Sequence, residues 1–202
     1  MVIQQDEPKT THKEFKLKDV LIGNLSLIVI CLSVILVLVN QNVITIDEIF
    51  LKMNLLESAC WVAIPSVFLL LFGAVLTKFI PAIYIDDTNK SYQYLPTGVL
   101  VIFMFFSALF EELLFRGVIQ NLMDLGFQHD WLAIILTTML FLAFHIQYYT
   151  KPIMLLNIMI PSLMFGWIYS ATHNLLIPFI VHFILNVGTT LLFKYKILRL
   201  KE

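Results

Sequence analysis

The sequence predicts an all-α fold, a polytopic membrane helix bundle of about six transmembrane helices with both termini cytoplasmic. Three observations carry that expectation. Apolar residues make up 59% of the 202-residue chain and charged residues only 13%, where a soluble domain carries about a quarter. The mean hydropathy is +0.88. The apolar residues gather in long unbroken runs, unlike the short alternating segments of a membrane barrel. Lipid tolerates only helices or closed barrels, because the backbone must satisfy its own hydrogen bonds, so the runs are read as helices.

Taken in order, residues 1–19 form a polar tail carrying Lys9, Lys13, Lys16 and Lys18. No small-residue cleavage site follows the first apolar run, which reads as an uncleaved span and not a signal peptide. The spans fall near 20–40, 58–80, 97–123, 131–148, 153–170 and 175–193. Five of the stretches clear the roughly 18 residues of a crossing helix and the sixth nearly does. Between the second and third lies PAIYIDDTNKSYQYLP, residues 81–96, whose Tyr84, Tyr92 and Tyr94 suit an interfacial position. The chain thus divides into a cytoplasmic tail (1–19), two transmembrane helices with an interfacial loop (20–96), a four-helix core (97–193) and a basic tail (194–202). Pro81, Pro96 and Pro152 mark boundaries. Pro65, Pro161 and Pro178 fall inside predicted spans, where they kink helices and free backbone carbonyls.

Charge sets the orientation. Six spans put Lys9, Lys13, Lys16 and Lys18 on the same side as Lys194, Lys196, Arg199 and Lys201, and the loops add Lys78, Lys90 and Lys151. The opposite side holds Lys52 with Asp47, Glu48, Glu57, Asp124 and Asp130. The positive-inside rule makes the basic side cytoplasmic, as in a multi-pass protein of the bacterial plasma membrane. A net charge of −1 gives no reason to expect a nucleic-acid partner. Cys31 and Cys60 lie on different spans without metal-type spacing, so neither a disulfide framework nor a redox function is expected.

Against this apolar background a few polar residues stand out. An Asp, Lys or Arg at the centre of a span costs roughly 2.5–3.5 kcal/mol to insert, so such groups face the bundle interior and find partners. They are Glu111, Glu112 and Arg116 on the third span, His145 on the fourth, and His182 with Asn186 on the sixth. Glu112 and Arg116, four apart, stack on one helical face and can pair. Glu111 is rotated by about 100° and is left for other work. His182 and Asn186 also share a face. Each has a plain structural reading: a buried ion pair is no proof of function, and a lone intramembrane histidine or asparagine is ordinary interhelical glue. Phe141 is read as packing, His173 and Asn174 as solvated loop residues, and His12 and His129 as lying outside the spans with no special role.

The three stretches EELLFR (111–116), FLAFH (141–145) and HFILN (182–186), in this order on successive spans, resemble the CPBP family, the CAAX-protease and bacteriocin-processing (Abi) intramembrane proteases. The resemblance covers residues 97–193 and makes that segment the catalytic core. It implies that Glu111 and His145 activate the water that attacks a peptide carbonyl, and that His182 and Asn186 stabilise the oxyanion. Glu112 and Arg116 are then supporting residues. The chemistry agrees, since amide hydrolysis needs a base for water and fixed donors aimed at the developing charge. The family has also been described as metal-dependent. The chain has no HExxH, and a metal-free glutamate mechanism without cofactor is favoured; a Zn site, if present, would use Glu111, His145 and His182.

The expected function is therefore an intramembrane endopeptidase acting on a membrane-associated peptide or protein within the lipid bilayer. The alternative is a bacteriocin immunity or membrane scaffold protein that binds a partner without hydrolysis. A proton-coupled transporter is a third reading, against which the lack of inverted repeats counts. Measured from the span edges, His145 and His182 lie at depths that differ by about 10 Å.

Overall fold

The computed structural model describes residues 17–81, 84 and 95–198. Lys9, Lys13, Lys16, Lys90, Tyr92, Tyr94, Arg199 and Lys201 lie outside them, as does His12. Among the described residues there are six helices longer than one turn: α1 (Leu17–Asn40), α2 (Leu55–Thr77), α3 (Thr97–Phe127), α4 (Asp130–Ala143), α5 (Pro152–Thr172) and α6 (Leu176–Lys194). Phe50 and Asn174 form an isolated antiparallel bridge.

Five of these helices are long and apolar enough to cross a membrane. The sixth, α4, has 14 residues, about 21 Å of rise, and falls short of a hydrocarbon core about 30 Å thick. The predicted span 131–148 therefore overran. Hydropathy continues past Ala143, but two side chains close the helix there. His145 Nδ1 meets the Phe141 carbonyl at 2.7 Å and Tyr149 Oη donates to the Ala143 carbonyl at 2.9 Å. These are carbonyls of the last turn, which have no partner within the helix. A 3-10 turn at Ile146–Tyr148 then leads to Pro152, the first residue of α5. His145 thus sits in a loop beyond α4 and not on a spanning helix.

Two further expectations change. Pro178 lies in the first turn of α6, where backbone N–H groups have no helical acceptor, so it interrupts nothing. Pro65 and Pro161 are interior to α2 and α5, as expected. The α3 helix is not uniform: residues Leu113–Gln120 form a π-helical stretch directly after Glu112.

Packing fixes the directions of the helices. Val20 and Leu21 of α1 pack with Leu100 and Phe103 near the start of α3 and with Val187 towards the end of α6. At the other end, Ile35 joins Leu113, Tyr169 and Leu175. The start of α1 and the end of α6 therefore share one end of the bundle, which also carries Lys78, Lys151, Lys194 and Lys196. The opposite end groups Glu48, Asp124 and Asp130 near His173, and Leu51 N–H donates to the His173 carbonyl.

Close approach depends on glycine at two contacts. A Cβ at Gly188 would stand 2.8 Å from Leu70 Cδ2, and one at Gly117 2.9 Å from Ile35 Cδ1. A larger residue at either position would require the end of the Leu70 or Ile35 side chain to move aside. Outward faces are apolar, with Leu36 69% and Leu71 62% exposed. Such contiguous exposure is the surface of a protein whose solvent is lipid.

Candidate active site

Charge begins at the middle of α3. Glu112 and Arg116 are both fully buried, and Arg116 Nη1 reaches Glu112 Oε1 at 3.3 Å. A guanidinium with no access to water needs more than one acceptor. Arg116 Nη2 finds them on α5, donating to the Ser162 carbonyl at 2.7 Å and to Ser162 Oγ at 3.0 Å. Its guanidinium carbon also lies 5.5 Å from the centre of the Phe165 ring and 5.8 Å from that of Phe141, within cation–π range. Ser162 Oγ in turn donates to Thr138 Oγ1 of α4 at 3.4 Å. Arg116 thereby ties α3, α4 and α5 together.

Glu112 has a second partner that spacing along α3 could not disclose. Its Oε1 lies 2.7 Å from His182 Nδ1 of α6. The other ring nitrogen, Nε2, lies 3.7 Å from Glu111 Oε2. One imidazole thus bridges two adjacent carboxylates that point to different sides of their helix. The His182 ring stacks on Phe165 at 4.6 Å between centroids, with an interplanar angle of 21°, which holds its plane. A carboxylate paired to arginine is an acceptor only. Nδ1 therefore carries the proton donated to Glu112, and Nε2 is the nitrogen presented to Glu111.

His145 is held by the α4 cap described above. A carbonyl can only accept, so Nδ1–H donates to Phe141 and Nε2 keeps the lone pair. The ring also packs against Phe141 at 4.4 Å between centroids. Glu111, His145, His182 and Asn186 line one cavity of about 610 Å³, together with residues of α2, α3, α5 and α6. That size is typical of a ligand site. Glu111 is 25% exposed to it, whereas Glu112 is closed off. Glu112 and Arg116 stand behind the wall.

Among the described residues no three His, Cys, Asp or Glu side chains are grouped closely enough to hold a metal ion. Glu111, His145 and His182 share the cavity without closing to ligand spacing, so no step below runs through a metal.

Several residues of the network lie outside the sequence motifs. Ser162 is a single hydroxyl in an apolar run, Thr138 is one of the adjacent pair Thr137 and Thr138, and Phe165 is one of 17 phenylalanines. Gln120, which donates to the Gly166 carbonyl at 3.0 Å, was also passed over. Polar character inside a predicted span was the available clue for Ser162 and Gln120.

Fold and site together define a multi-pass membrane protein whose buried polar groups converge on one cavity. Comparison with known proteins narrows the class: residues 93–188 match the Rce1-like family, type II CAAX prenyl endopeptidase Rce1-like. Over that segment, a little under half of the chain, the sequence is similar to this family. The chain is also 27% identical over 124 residues to the uncharacterized protein YpbD of Bacillus subtilis (strain 168). The alignment covers 60% of this chain and 61% of YpbD, so the chain spans about three fifths of that relative's length. No solved structure matches the chain.

Proposed function

We propose that the protein is an intramembrane endopeptidase of the cell membrane that hydrolyses a peptide bond in a membrane-associated peptide or protein, without a metal or other cofactor. The observation that carries this reading is the shared cavity of Glu111, His145, His182 and Asn186. It is supported by the match to the Rce1-like family over residues 93–188.

Each group has a task that its geometry permits. Glu111, exposed to the cavity, takes a proton from water. His145 Nε2, left as an acceptor by its bond to Phe141, orients that water. The hydroxide attacks the peptide carbonyl carbon and the carbonyl oxygen becomes an oxyanion. Asn186 donates to it through its NH₂, and His182, held through Nδ1 by Glu112, adds a second donor at Nε2 when that nitrogen is protonated, while the proton taken from water stays on Glu111. As the C–N bond breaks, the proton passes to the departing amine. Glu112 does not touch substrate in this scheme. It holds Nδ1–H of His182 and so sets which nitrogen faces the chemistry.

Purified protein with a peptide library tests the proposal. Glu111→Gln and His145→Ala are each expected to lower cleavage by about 10²–10⁴-fold, the usual contribution of a positioned base. Thermal unfolding in detergent should stay within about 0.5 kcal/mol of wild type for Glu111→Gln, as for substitutions away from packed features. Full turnover in both variants would falsify the hydrolytic reading. Partner binding or immunity retained by a Glu111→Gln protein that never cleaved would favour the scaffold instead.

A further inference from the structure

Most polar side chains in the cavity wall, apart from those given roles above, are already committed. Thr77 Oγ1 donates to the Gly73 carbonyl and Thr190 Oγ1 to the Asn186 carbonyl, each at 2.7 Å. Ser107 Oγ accepts from Asn24 Nδ2 at 3.0 Å. Asn157 of α5 differs. It is half-buried, lines the cavity, and its carboxamide makes no hydrogen bond among the described residues.

A second feature sets Asn157 apart from Gln147 and Thr189, whose side chains are similarly uncommitted. Pro161 stands four residues further along α5 and lines the same cavity. Proline has no N–H, so the i→i−4 bond that would close on the Asn157 carbonyl does not exist. One position therefore offers a side-chain donor, a side-chain acceptor and a main-chain carbonyl without its regular helical partner. Burying such groups is costly unless something pairs with them. A peptide backbone, with one N–H and one C=O per residue, is the complementary ligand.

We propose that Asn157 and the carbonyl freed by Pro161 form a backbone-binding subsite that holds the substrate chain extended. This rests on the protease reading above. The eight residues from Asn157 to Phe165, which stacks on His182, amount to about 12 Å along the helix. An extended chain rises about 3.3 Å per residue, so the subsite holds the substrate about three to four residues from the bond that is cut. It lies towards the basic end of the bundle. The substrate class is a peptide that reaches this far in extended form and is recognised by its backbone and not by a charged side chain.

The test uses the full-length protein and peptides sharing one cleaved bond, lengthened a residue at a time on either side. Asn157→Leu and Pro161→Ala are each expected to raise KM about tenfold for peptides that reach the subsite, an unpaired polar group being worth about that factor. kcat should change less than about twofold, since the bond made is the same in ground and transition states. For peptides ending short of the subsite, KM should equal that of wild type. Pro161→Ala restores a helical N–H and is expected to fold at least as well, so it decides the matter even if Asn157→Leu does not. Equal KM for wild type and the variants at every length overturns the subsite and leaves the protease standing. A length-independent KM change would assign both residues a structural role. Failure of the wild type to cut any peptide removes the protease reading, and the subsite with it.

Discussion

Two regions meet at Glu112. On one side lies the clamp formed by Arg116, Ser162 and Thr138 with the faces of Phe141 and Phe165, its polar side chains buried. On the other lies the cavity, where Glu111 is 25% exposed and His145, His182 and Asn186 share the wall. Adjacent glutamates on one helix thus serve opposite ends. The clamp pairs its charges inside the protein, leaving only Glu112 Oε2 and Arg116 Nε of the ion pair without a partner among the described residues. The cavity leaves groups unspent, and unspent groups are what chemistry requires. His182 is the joint, with one nitrogen on each side.

The largest effect that can break this comparison is expected at the joint. Glu112→Gln keeps the shape but offers Nδ1 either a donor or an acceptor, and the proton on His182 is no longer directed. Loss of such tautomer control reaches about 10⁴ in kcat in a histidine–carboxylate pair of another protease class. A fall of about 10³-fold or more, with KM little altered, would mark Glu112 as a positioning residue. An unchanged kcat would assign Glu112 to the clamp alone.

Next comes the clamp itself. Arg116→Leu leaves Glu112 at zero exposure with His182 but without its arginine counter-charge, and is expected to cost about 3 kcal/mol of unfolding free energy in detergent. Replacing both residues by leucine should recover most of that stability, because an apolar pair needs no desolvation. Activity should remain low in the double variant, as His182 has lost its Nδ1 acceptor. Recovery of both quantities would dissolve the distinction between the two regions.

Smaller effects sharpen the boundary. Gly73 lines the cavity, and a Cβ placed there meets nothing within 4 Å. Gly73→Leu is expected to leave stability within about 0.5 kcal/mol. It should raise KM for peptides with bulky side chains about tenfold relative to small ones, a pocket change of a few methylenes being worth that much. Ser162→Ala removes one donor–acceptor contact of Arg116 but leaves the carbonyl, and should lower stability by about 1 kcal/mol without a change in kcat.

The fold was largely legible because lipid imposes a simple rule. Twenty or so apolar residues in sequence can only be a helix, and four of the six predicted spans agree with α1, α2, α5 and α6 to within about a turn. The α3 helix runs one turn beyond its prediction, to Phe127. The α4 helix failed the rule because its end is set by the side chains of His145 and Tyr149, and hydropathy has no sight of hydrogen bonds made back onto the chain. That error placed His145 at the foot of a crossing helix, whereas it stands in the loop beyond α4.

What the sequence by itself determined is the inventory: apolar runs that must be helices, and six costly polar residues that must turn inwards. Local spacing also supplied the Glu112–Arg116 pair, since residues four apart on a helix are neighbours before any tertiary contact forms. Which helices then meet was decided only by packing. His182 lies 70 residues from Glu112 and Ser162 lies 46 from Arg116, and no periodicity relates such distant positions. The tertiary structure alone gave His182 its two carboxylates and separated a sealed clamp from an open cavity, because burial and partnership belong to the assembled bundle and not to any one helix.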